Sequence, residues 1–90
     1  MNPIDVFNSF VANVVYLVSG IESELEKVRA VCMYVSKLPL DKRDQNVVAI
    51  QIISKALKIQ PSNDVLNTLA KFFPFFPSDQ QGLSRIVRLG

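Results

Sequence analysis

A chain of 90 residues, 49% apolar and 20% charged, has room for one small domain, and this composition argues against disorder. It holds no histidine, one cysteine and three glycines. That set excludes Ser-His-Asp and Cys-His catalysis, zinc sites built on histidine or several thiolates, and a glycine-rich phosphate loop. The net charge of +2 is too small to indicate nucleic acid by itself.

Charge is unevenly spread. Residues 1–40 set Asp5, Glu22, Glu24 and Glu26 against Lys27, Arg29 and Lys37, while residues 41–90 carry seven cations against four acids. A lone cysteine allows no internal disulfide, which fits a reducing, cytoplasmic setting. The N-terminus lacks the basic region and small-residue cleavage site of a secretory leader. The most apolar run, Phe10 to Val18, contains Asn13 and is far short of the roughly 20 residues a membrane span needs. No membrane span is expected.

Asn2-Pro3-Ile4-Asp5 suits a helix start. Asn2 can cap, Pro3 fits the first turn, and Asp5 lies at the positive end of the dipole. Wound with helical periodicity, Ile4, Val6, Phe7, Phe10, Val11, Val14, Val15, Leu17 and Val18 share one half of the wheel. The predicted first helix, 3–18, is therefore amphipathic with a wide apolar half, and Ser19-Gly20 ends it. Its polar face carries no lysine or arginine, which argues against lying on a membrane.

Two overlapping capping boxes, Ser19 to Glu22 and Ser23 to Glu26, precede a second helix at 22–37. Ile21, Leu25, Val28, Cys32 and Val35 step along it by fours and threes, widened by Val31 and Leu38, and Pro39 stops it. Cys32 lies on this seam, where a thiol acts as a small apolar side chain. Glu22, Glu24 and Glu26 are the acids a helix start favours, with no histidine or aspartate motif to complete a site.

A third helix at 42–59 follows, capped by Asp41 or Asp44. Val48, Ala49, Ile52, Ile53, Ala56, Leu57 and Ile59 are its expected buried face; Val47, Gln51, Ser54, Lys55 and Lys58 its wet one. Ala49 and Ala56, seven apart, would admit a close neighbouring helix. Ser62 or Asn63 caps a fourth helix at 63–73, with Val65, Leu66, Leu69, Phe72 and Phe73 on one face. Then comes Phe72-Phe73-Pro74-Phe75-Phe76-Pro77, four of the six phenylalanines in six positions. Its prolines forbid a continuous helix. Two readings stand: a plug that closes the core, or an exposed aromatic anchor for a partner. A last short helix is expected at 79–88, with Leu83, Ile86 and Val87 opposite Arg85 and Arg88.

No segment alternates as a strand, and the linkers are short. The expected fold is all-α: a compact single-domain bundle of four to five short antiparallel helices. Residues 24–40, ELEKVRAVCMYVSKLPL, resemble the early helix of transglutaminase-like cysteine protease domains. That family's cysteine, histidine and aspartate come later in its chain, and nothing after Cys32 supplies a cysteine or histidine here.

These residues point to a non-enzymatic module that binds another protein or copies of itself. An adaptor, an inhibitor or an accessory subunit of a larger assembly fits, a viral or phage assembly included. No cofactor, metal or catalytic residue is expected. The contacting side chains would be Phe72, Phe73, Phe75 and Phe76 of the plug, with Phe7 and Phe10 of the first helix. The alternative is a nucleic-acid-associated module that holds phosphates with Lys42, Arg43, Lys55, Lys58, Arg85 and Arg88.

Overall fold

Each helix starts where a short polar side chain can reach an orphan backbone N–H. In the computed structural model, which describes residues 2–74, α1 spans Pro3–Val18, and the Asn2 side chain accepts from the Ile4 N–H at 2.8 Å. Helix α2 spans Glu24–Val35, its Ser23 hydroxyl accepting from the Glu26 N–H at 3.3 Å. Of the two capping boxes, the later one supplies this cap, so α2 is shorter at both ends than the expected 22–37. Ser19 closes α1 instead, donating its hydroxyl to the Tyr16 carbonyl at 2.7 Å.

Helix α3 spans Lys42–Gln51, capped by Asp41 rather than Asp44; the carboxylate accepts from the Asp44 N–H at 2.8 Å. Helix α4 spans Asn63–Phe72, capped by the Ser62 hydroxyl. The expected helix at 79–88, with Phe75, Phe76, Arg85 and Arg88, lies outside the described residues. The described chain is all-α, without a strand.

The third helix departs from expectation. It does not run as α-helix to residue 59. After Gln51 it widens into a π-helical turn, Ile52–Ala56. The Leu57 N–H reaches back five residues to the Ile52 carbonyl at 2.9 Å, and the Ile59 N–H six residues to Ile53 at 3.0 Å. The Ser54 hydroxyl donates to the Ile50 carbonyl at 2.7 Å, a back-bond of the kind that bends helices. The turn ends on Lys58 with φ of 57°, a left-handed conformation that an L side chain resists.

Ala56, expected inside, is exposed, while Ile59 is buried, Leu57 half-buried and Lys55 and Lys58 exposed, as expected. The neighbouring Ile52 and Ile53 are both buried. Further up α3, Gln45, Asn46 and Ile50 are buried and Val47 is half-buried. α3 thus hides a broader face than its pattern announced.

Helix α2 is the hub, packing against α1, α3, the π turn and α4. Val28, Val31, Cys32 and Val35 on it are wholly inaccessible, as the seam predicted. Around them lie Val14 and Val18 of α1, Ala49 and Ile50 of α3, Ile52 and Ile53 of the π turn, and Val65, Leu66 and Leu69 of α4. Full burial of one such aliphatic side chain contributes about 1.5–3 kcal/mol, so this cluster is the main source of stability.

Candidate functional site: the groove beside the π turn

Helix α1 has a wider apolar surface than its neighbours cover. It packs on α2 and the π turn. Only Val14 and Val18 are buried; Phe7, Phe10, Val11 and Val15 are half-buried. Ile4 is 66% and Val6 50% exposed. Large apolar side chains exposed together on one element are the informative kind of surface.

Beside this helix the π turn opens a groove of about 280 Å³, lined by Phe7, Asn8, Val11, Gln51, Ile52, Lys55 and Ala56. Phe7, Val11 and Ile52 give it an apolar floor, and Lys55 is its one charged lining residue. Its volume lies just below the ~300–1,000 Å³ of pockets that enclose small molecules, and it is open. That shape suits one or two side chains of a larger partner. The π turn contributes Ile52, Lys55 and Ala56 to its lining. π-helical turns are frequent at functional sites.

The sequence-predicted anchors separate in space. Phe73 is wholly buried and joins the core, so it offers no surface; its ring lies 6.2 Å from that of the half-buried Phe72. Phe7 lines the groove, and Phe10 packs at the core margin on another side of α1.

Of the six candidate basic residues, Lys42, Arg43, Lys55 and Lys58 are among the described residues, and Arg85 and Arg88 are not. Lys42 sits over the Phe73 ring, its Nζ 5.9 Å from the centroid. This cation–π contact accounts for a cation at the first turn of α3, where the helix dipole disfavours it. Arg43 and Lys55, both exposed, are twelve residues apart along one helical segment, about 15–18 Å at helical rise. Lys58 is exposed and occupies the left-handed position.

Two buried side chains of α3, Gln45 and Asn46, were not foreseen, while Cys32 lies inside as its place on the seam predicted. The Gln45 amide donates to the Ser36 and Leu38 carbonyls at 3.2 and 3.0 Å, tying α3 to the end of α2. Asn46 is 1% exposed, and neither atom of its amide has a hydrogen-bond partner. Cys32 is buried on α2, and desolvation pushes its thiol up to about 12. A thiol held neutral in this way is a packing group, not a nucleophile.

The described residues therefore define a small all-α bundle with one partly covered amphipathic helix and an apolar groove beside it. Compared with protein-family models, curated proteins and solved structures, the chain matches none of them. Among the described residues no helix is long and apolar enough to cross a membrane.

Proposed function

We propose that this chain is a small, non-enzymatic protein-interaction module that takes an apolar segment of a partner protein into the groove between α1 and the π turn. The observation that supports it is the exposure of Ile4 beside a groove floored by Phe7, Val11 and Ile52. Lys55 at the rim calls for a carboxylate on the partner near its apolar anchor. A cytoplasmic, reducing setting belongs to the same reading, motivated by the single unpaired thiol. No observation favours the phosphate-binding alternative, since Lys42 is engaged with Phe73 and the other described cations are dispersed.

The test is site-specific photo-crosslinking in cells that produce the chain. A benzophenone side chain at Ile4 is expected to trap a discrete protein, and a Lys55→Glu change on the same chain to abolish the adduct. The same probe at Arg43 is the control. Adducts from Arg43 but not Ile4, or adducts containing nucleic acid, would refute the proposal.

A further inference from the structure

Two of the groove's lining residues are amides set beside its apolar floor. Asn8 lies on the α1 wall next to Phe7, and Gln51 on the opposite wall, at the end of α3, next to Ile52. Asn8 is exposed and Gln51 half-buried, and neither side chain has a hydrogen-bond partner among the described residues. Lys55, one turn on from Gln51, has no ion-pair partner among them either. Each wall thus offers an amide with donors and an acceptor to spare, and one end of the groove offers a cation.

These groups bear on the backbone of the occupant. Whatever fills the groove takes water from them, and an amide or ammonium left without a partner weakens binding. A helix satisfies its peptide groups internally and brings none of them to either wall. An extended chain does the reverse. Its side chains alternate into the floor and out to solvent, while its N–H and C=O groups point sideways, toward the two walls.

We propose that the partner enters this groove as an extended segment, its peptide groups bonded to the Asn8 and Gln51 amides. One apolar side chain rests on Phe7, Val11 and Ile52, and a carboxylate two residues away pairs with Lys55. The proposal rests on the groove being the binding site, and it adds the conformation and the pattern of what binds there. Charge sets the acid, since Lys55 is the one charged lining residue. Length sets the spacing. Phe7 to Val11 and Gln51 to Lys55 each cover about 5–6 Å at helical rise. Two residues of extended chain cover about 6.6 Å, and side chains two apart point the same way.

Selection of random phage-displayed peptides on the immobilised full chain tests this. Enriched peptides should carry an apolar residue and an Asp or Glu two positions apart, without apolar repeats at three and four. Synthetic copies should lose about tenfold in affinity on Asn8→Leu, and about as much on Gln51→Leu, because each change orphans a peptide group. Lys55→Glu should abolish binding. Methylating the peptide nitrogens beside the apolar residue should also cost about tenfold, and it reads the same bonds with the protein unaltered. Peptides with helical spacing, lost on Lys55→Glu but indifferent to Asn8→Leu, Gln51→Leu and N-methylation, would overturn the extended segment and leave the groove as the binding site. No enrichment, or peptides that bind the Lys55→Glu chain as well as the original, would overturn this proposal and the groove reading together.

Discussion

Replacing Asn46 by leucine should stabilise this protein, although it adds an apolar residue to a helix that reads as half polar. Asn46 is 1% exposed with both amide atoms unpartnered. Burying an amide without hydrogen bonds costs about 1–3 kcal/mol in protein mutational data. Leucine has the same branching and heavy-atom count with bulkier methyl groups, so it removes the penalty without opening a cavity and adds apolar burial, less an overpacking cost that the neighbouring side chains must absorb. The expected gain is about 1–3 kcal/mol, a large fraction of the margin of a 90-residue domain. With a urea dependence near ~1 kcal/mol per molar, the unfolding midpoint should rise by about 1 M or more. The melting temperature should rise by at least about 5 °C. The adjacent residue gives the control. Gln45→Leu relieves one orphan amide oxygen but strips the donors from two carbonyls, Ser36 and Leu38, so it should cost about 1 kcal/mol. A gain at 46 that is absent at 45 is the signature of this reasoning. If Asn46→Leu is neutral or destabilising in urea titration, the Asn46 amide is hydrogen-bonded in the folded protein and the argument fails.

The left-handed Lys58 should prefer glycine: Lys58→Gly should raise stability by about 0.5–1 kcal/mol in the same titration, and a loss would show that the lysine stem packs usefully. Phe73→Ala should cost about 3–5 kcal/mol and leave much of the chain unfolded at 37 °C, while Phe72→Ala, at a half-buried site, should cost clearly less; circular dichroism melts separate the two. For Cys32, desolvation raises the folded thiol to about 12, so above about pH 9 the unfolded chain binds fewer protons than the folded one. Stability attributable to the thiol is therefore complete below that pH and is lost as pH rises, by about 1.4 kcal/mol per unit until the folded thiol titrates. Cys32→Val should remove this dependence, which urea unfolding at pH 8 and 10.5 measures; equal slopes for the two proteins would show that the buried thiol ionises freely. Maleimide labelling of Cys32 should likewise wait for unfolding.

What the amino-acid sequence determined by itself is local. Asn2, Ser23, Asp41 and Ser62 cap their helices because a short side-chain oxygen reaches an N–H two or three residues on, whatever surrounds it. The apolar seam of α2 was legible for a similar reason: period 3.6 on a central helix leaves little choice of which face goes inside.

The tertiary structure decided what depends on distant partners. The Gln45 amide matters because the chain leaving α2 presents the Ser36 and Leu38 carbonyls, nine and seven residues before it, in need of donors. Lys42 tolerates a helix start because Phe73, thirty-one residues on, gives its ammonium a ring face. A wheel of fixed pitch put Ala56 inside; in the fold it is exposed and lines the groove with Ile52 and Lys55 of the π turn. The wide apolar half of α1 was visible as residues. Which of them stay on the surface was not, because exposure is set by how many neighbours a helix receives, and α1 packs on one helix and the π turn.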